Sequence, residues 1–139
     1  MNCLTNSRCT SFSGTDLKGK TSIIYFYPKD DTPGCTKEAC GFRNNIYSFK
    51  SMDIPVFGVS VDSVESHKKF KKKYSLPFTL LSDSDKKLIT KLKIKSMIGF
   101  ASRVTFILDK DGKVIKIYPK VSPDRHAEEI LSFLRDNKQ

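Results

Sequence analysis

The chain has 139 residues and carries 25 Lys and Arg against 15 Asp and Glu, a formal net charge of +10. That length builds one domain with a real core and is too short for two ordinary ones. No apolar run approaches the roughly 20 residues that span a bilayer. The opening Met1-Asn2-Cys3-Leu4-Thr5-Asn6-Ser7-Arg8 lacks the apolar stretch of a secretory signal. An intracellular, first of all cytoplasmic, location is therefore expected, with nuclear or organellar ones as alternatives.

Residues 1–16 are polar and weakly patterned, so an irregular start is expected. From 17 to 139 a single domain follows. Thr21 to Tyr27 reads as a central strand, with Ile23-Ile24-Tyr25-Phe26-Tyr27 as its apolar run. Pro33 to Lys50 reads as a helix, because Ala39, Phe42, Ile46, Tyr47 and Phe49 recur at helical spacing. Ile54 to Val61 reads as the next strand. A helix capped by Asp62 or Ser63 then runs to Tyr74. Leu76 to Leu81 is a short extended piece, and Asp83-Ser84-Asp85 opens a helix of about ten residues carrying Leu88, Ile89 and Leu92. After a loop at Ser96–Phe100, two β-rich runs, Arg103–Leu108 and Lys113–Tyr118, flank a hairpin turn, Asp109-Lys110-Asp111-Gly112. Pro123-Asp124 opens an amphipathic closing helix. The order predicts an α/β domain, a central mixed sheet flanked by helices.

The basic excess is mostly lysine, with a cluster at Lys68, Lys69, Lys71, Lys72 and Lys73. Phe70 and Tyr74 interrupt it at i and i+4, which describes an amphipathic helix with a solvated basic face. Charge alone permits non-specific attraction to nucleic acid, but no base-reading motif accompanies it.

The chemistry gathers at Pro28-Lys29-Asp30-Asp31-Thr32-Pro33-Gly34-Cys35-Thr36-Lys37-Glu38-Ala39-Cys40. Cys35 sits where a buried strand ends and a helix begins, and Pro33 suits the first helical turn. Unpaired N–H groups at a helix start favour a thiolate, so Cys35 is the candidate nucleophile. Cys40 follows five residues on. In an intact helix such positions lie about 7.5 Å apart along the axis and point roughly 140° apart. A disulfide between them therefore requires the helix start to unwind. The bland alternative is two unrelated thiols, Cys40 packing as a small apolar group.

Pro28, Thr32 and Cys35 match the Pro-x-x-x-Thr-x-x-Cys pattern of the peroxiredoxins, and Cys40 resembles the second cysteine of the peroxiredoxin Q, or bacterioferritin comigratory protein, branch. The likeness runs from about Lys18 to the C-terminus. It implies a thioredoxin-like fold and a thiol-dependent peroxidase acting on hydrogen peroxide or alkyl hydroperoxides. Cys35 would become a sulfenic acid, Cys40 would resolve it as an intramolecular disulfide, and thioredoxin or glutaredoxin would reset it. The resemblance further implies that Thr32 turns its hydroxyl to sulfur and peroxide, that Pro28 shields the site, and that Arg103, in Arg103-Val104-Thr105-Phe106, supplies the cation. Members of the branch act as monomers in many cases, which is the expectation here. Relatives carry a longer N-terminal segment with an extra hairpin, of which little is recognisable in residues 1–16.

Other polar candidates receive quieter readings. Arg43 and Glu38 are taken as exposed helix residues, His67 and His126 as structural or surface groups. Cys3 and Cys9 read as incidental thiols on a loose terminus. Cys3, Cys9, Cys35 and Cys40 show neither Cys-x-x-Cys spacing nor a nearby His pair, so no metal or other cofactor is expected. Missing Cys-x-x-Cys also argues against a disulfide oxidoreductase. The rival to the peroxidase is a basic, nucleic-acid-associated protein whose cysteine pair senses oxidation.

Overall fold

The structure, a computed structural model, describes residues 4–6, 11–12 and 19–136. Cys3, Cys9 and the stretch Thr15-Asp16-Leu17-Lys18 lie outside the described residues.

The strand expected in the first apolar run is β3, Ser22–Phe26. Both of its faces are apolar, as suits a strand buried on two sides. It pairs in parallel with β4, Val56–Ser60, and antiparallel with β6, Val104–Leu108. Outside them stand β5, Thr79–Ser82, parallel to β4, and β7, Val114–Tyr118, antiparallel to β6. Residues expected to be irregular correct that reading. Leu4–Asn6 forms β1 and Ser11–Phe12 forms β2, an antiparallel hairpin whose first strand pairs with β5. Strands this short, three and two residues, are too brief to show hydrophobic alternation, so their sequence carries little signal. The sheet order is β2-β1-β5-β4-β3-β6-β7.

Alternating side chains build a core on each face of this mixed sheet. Ile23 and Tyr25 of β3 join Val56, Leu80 and Ile107 on one side. There they meet α1 (Pro33–Asn44), α2 (Ile46–Ser51), α3 (Val64–Tyr74) and α5 (His126–Asp136), which contribute Phe42, Phe49, Phe70 and Ile130. Phe26, Phe57, Val59 and Leu81 point the other way, onto Leu88 and Ile89 of α4 (Lys87–Lys91).

Two helix expectations change in detail. The single helix from Pro33 to Lys50 is two, broken at Asn45 (φ −110°, ψ 12°). There the Asn45 side-chain amide donates to the Gly41 carbonyl at 2.8 Å, the local competition with helix bonding that Asn offers. Tyr47, counted on the apolar stripe, is 82% exposed, because five residues after Phe42 it falls about 140° round from it, off the face of the buried Phe42, Ile46 and Phe49. The helix after Asp83 has five residues, since Lys86 and Lys93 bracket it in the left-handed region. Leu92 is exposed in consequence. By contrast α3 keeps its expected bounds. Ser63 caps it, accepting from the Ser66 amide at 3.1 Å, and its basic residues line a solvated face.

Gly58 fixes how β4 lies against β3. A Cβ there would fall 2.8 Å from Tyr25 Cζ and 2.9 Å from Leu80 Cδ2. Tyr25 is fully buried and stacks on Phe42 of α1 at 4.6 Å between centroids. Gly58→Ala is expected to overpack this seat and cost about 1–3 kcal/mol in urea unfolding. An unchanged midpoint would show that Tyr25 can move freely, against this packing.

Candidate active site

β3 delivers the site by ending beneath it. Tyr27 extends the ladder by one more bond, its amide donating to the Val59 carbonyl at 3.0 Å. Pro28 follows, half-buried, and the chain then turns through Asp30 and Asp31. Asp31 has φ 58°, a left-handed conformation that costs a non-glycine residue about 1–3 kcal/mol. Its carboxylate is tied to α3 by Lys73 Nζ at 2.8 Å and by the Tyr74 hydroxyl at 2.8 Å. Those two hydrogen bonds hold the Asp31 carboxyl below its ordinary range, that of Lys73 contributing most.

Thr32 occupies the N-cap of α1 (φ −99°, ψ 155°), Pro33 is the first helical residue and Cys35 the third. The first-turn amides have no carbonyl partner inside the helix and face outward from its start. The Thr32 hydroxyl donates to the Lys29 carbonyl at 2.9 Å, so in this state its proton is not turned to the sulfur. Cys35 is buried and its thiol is free, and Cys40 is a free, half-buried thiol on the same helix.

Arg103 comes from the residue just before β6. Its guanidinium forks: Nη2 donates to Cys35 Sγ at 3.4 Å, and Nη1 donates to Glu38 Oε1 at 2.8 Å. One rigid cation thus spans the thiol and a carboxylate, a geometry lysine does not offer. The fork lies so close over the first turn of α1 that a Cβ on Gly34 would sit 3.1 Å from Nη2.

Glu38 corrects the expectation of an exposed helix residue. It is 1% exposed, and its Oε2 has no hydrogen-bond partner among the described residues. Burial pushes its carboxyl up to about 7, and Arg103 offsets only part of that. The signal was in the sequence: Cys35, Glu38, Ala39 and Phe42 fall at i, i+3, i+4 and i+7, one buried stripe of α1. Arg43 is likewise not a free solvated group, for its Nη1 donates to the Tyr74 carbonyl at 2.8 Å.

Both histidines are buried and neither contacts Cys35 through a hydrogen bond. His126 lies edge-on to Phe42 and Tyr118, with Nε2 2.6 Å from the Thr105 hydroxyl and Nδ1 3.3 Å from Glu129. Burial lowers its proton affinity, and the Glu129 carboxylate opposes part of that. His67 pairs with Asp30 at 2.7 Å.

No described helix is long and apolar enough to cross a membrane. The AhpC/TSA family model matches residues 2–117. Peroxiredoxin Bcp of Bacillus subtilis (strain 168) is 48% identical over 130 residues, covering 88% of this chain and 82% of that protein. Chloroplastic peroxiredoxin Q of Sedum lineare is 47% identical over 125 residues, 88% of this chain and 67% of that one. Among solved structures, Xanthomonas campestris bacterioferritin comigratory protein superposes with a TM-score of 0.91 at 34% identity, over 97% of this chain and 90% of that one. Peroxidoxin BcpB of Mycobacterium tuberculosis superposes with a TM-score of 0.90 at 30% identity, over 99% and 94%. These neighbours share the expected thioredoxin-like fold. The chain belongs to the AhpC/TSA family and, within it, to the Bcp/peroxiredoxin Q branch of thiol peroxidases.

Proposed function

We propose that Cys35 is the peroxidatic nucleophile and Cys40 its resolving partner in the reduction of hydrogen peroxide and alkyl hydroperoxides. The observation that carries this reading is the Arg103 fork, which sets a positive charge against the one sulfur at the start of α1. The Cys35 thiolate attacks one peroxide oxygen. The O–O bond breaks, sulfur is oxidised to the sulfenic acid, and the other oxygen leaves as alkoxide or hydroxide and takes a proton. Arg103 and the first-turn amides of α1 meet the charge that develops on the leaving oxygen. Thr32 redirects its hydroxyl from Lys29 toward the bound peroxide, and Pro28 keeps water from that side. The alkyl hydroperoxide part has a parallel in the Xanthomonas protein, whose structural study concerned alkyl peroxide reduction activity.

Cys40 then attacks the Cys35 sulfenic sulfur, forms the disulfide and expels the hydroxyl oxygen as water. The intact helix keeps the two residues about 7.5 Å apart along its axis, so α1 must unwind first. Phe42 sets the limit of that unwinding, because its ring is fully buried and exposing it would cost about 3 kcal/mol. Everything from Pro33 to Gly41 can open without moving it. A dithiol reductant of the thioredoxin or glutaredoxin kind resets the pair. Both cysteines belong to one chain, so the cycle needs no second copy of it, and a monomer inside the cell is the setting this reading takes.

Intact mass after one equivalent of hydrogen peroxide tests the assignment. Wild type is expected to lose two hydrogens to a Cys35–Cys40 disulfide. Cys40→Ser is expected to gain one oxygen, trapped on Cys35, and to stop turning over. A Cys35 that stays reduced while Cys3 or Cys9 is oxidised would sink it.

A further inference from the structure

Directly before the nucleophile lies a buried polar cluster that the chemistry above does not use. Asp30 is 7% exposed, His67 0%. Both carboxylate oxygens of Asp30 are engaged: Oδ1 accepts from the Tyr27 hydroxyl at 2.6 Å, and Oδ2 from the Ser66 hydroxyl at 2.8 Å and from His67 Nδ1 at 2.7 Å. The Asp30 amide donates to Asp62 Oδ2 at 2.8 Å, and that same oxygen accepts from the Ser60 hydroxyl at 2.6 Å. The other His67 nitrogen, Nε2, donates to the Leu81 carbonyl at 2.9 Å. His67 therefore has an oxygen partner at each ring nitrogen. Ligating atoms of Asp30, Asp62 and His67 lie within 4.8 Å of one another. The hydrogen bonds that run between these side chains and the neighbouring elements make the cluster a clamp.

The clamp joins four parts of the fold. Asp30 belongs to the loop between β3 and α1, His67 and Ser66 to α3, Ser60 to β4 and Leu81 to β5. Beyond Asp30 comes Asp31, in its left-handed conformation, and then Thr32, the N-cap of α1. A disfavoured backbone turn persists only where its surroundings over-determine it. Here the surroundings are the clamp on one residue and the Lys73 and Tyr74 contacts on the next. Released, the turn would relax and carry the helix start with it.

We propose that Asp30 and His67 are positioning residues for peroxide reduction. Their pair holds the loop so that α1 favours the wound form, in which Cys35 meets peroxide, over the unwound form, in which it meets Cys40. The proposal rests on the Cys35–Cys40 reading above. It requires the two chemical steps to respond in opposite directions when the clamp is weakened.

The test is single-turnover oxidation of the full chain with hydrogen peroxide, quenched by alkylation and read by mass as thiol, sulfenic acid, disulfide and sulfinic acid. In Asp30→Asn, which keeps the shape and removes the charge, oxidation of Cys35 is expected to slow about tenfold, the scale of one charged hydrogen bond. Conversion of sulfenic acid to disulfide is expected to hold its rate or quicken, and less sulfinic acid should accumulate at high peroxide. Both steps slowing alike, or neither changing, overturns the proposal. Ser66→Ala removes a single bond to the same carboxylate and guards against loss of folding. It should show the same opposed pattern at about twofold to threefold, and an unchanged ratio of the two rates there counts against the clamp. A wild type that forms some other disulfide removes the underlying reading and this proposal with it.

Discussion

Arg103→Gln is expected to slow the oxidation of Cys35 by hydrogen peroxide by on the order of a hundredfold to a thousandfold, or about 3–4 kcal/mol of barrier. The neutral amide can still donate a hydrogen bond, but no longer sets a full charge against the sulfur or the leaving oxygen. The same change strands Glu38. Its Oε1 now takes a charge-assisted bond from Nη1, and its Oε2 has no hydrogen-bond partner among the described residues. Removing one member of a buried pair costs about 3–5 kcal/mol when the other must stay charged. That loss should be large at pH 8 and small at pH 5, where a carboxyl that titrates near 7 carries its proton. Arg103→Lys separates the two roles. An ammonium supplies charge but cannot fork across a thiol and a carboxylate 68 and 65 residues back in the chain. About a tenfold loss of rate is expected there. Second-order rates measured by competition for peroxide, with urea midpoints at both pH values, check all three statements. A Gln variant as fast as wild type would remove Arg103 from the chemistry.

What the sequence disclosed and what it withheld follow from distance along the chain. Pro28, Thr32, Cys35 and Cys40 lie within one strand-to-helix turn, so their spacing alone marks them. Arg103 was visible as a charge at the mouth of an apolar β run. The role of Glu38 was not, because a lone helix carboxylate reads first as an exposed residue, whereas the periodicity shared with Cys35, Ala39 and Phe42 places it inside. Reading that carboxyl as a member of the stripe would have asked for a buried cation, and Arg103 was already in hand. No such pattern leads to the Asp30 clamp. Its members come from a loop, a helix and two strands, and His67 on a lysine-rich helix looks like one more surface residue until Phe70 three places on is seen to share its face. The break at Asn45 was legible in the Asn44-Asn45 pair, poor helix formers that bond to their own backbone. The hairpin of β1 and β2 was not, since strands of three and two residues are too brief to show alternation.

Glu38 gives the second large expectation, in stability and not in rate. Its folded value of about 7 lies above the ordinary 4.5. A raised value means that the folded protein prefers the protonated form. The contribution is therefore fully present below about pH 4.5 and is lost as pH rises through about 7. The difference of about 2.5 units corresponds to roughly 3 kcal/mol at most. His126 acts in the opposite sense: burial depresses its affinity for protons, so its contribution is present above the ordinary histidine value and lost as pH falls below it. A single stability curve mixes the two. Comparing wild type with Glu38→Gln cancels the histidine, because both proteins keep it. The Gln side chain retains an oxygen for Arg103 Nη1 and cannot ionise. Wild type is thus expected to fall relative to the variant between pH 4.5 and 8, by roughly 3 kcal/mol at the upper end. Cys35 oxidation should stay within about tenfold of wild type, since the arginine keeps its seat and only one hydrogen bond changes character. Urea titrations at half-unit pH intervals decide it. Parallel curves would mean that Glu38 ionises as readily in the folded chain as in the unfolded one, and that Arg103 fully offsets its burial.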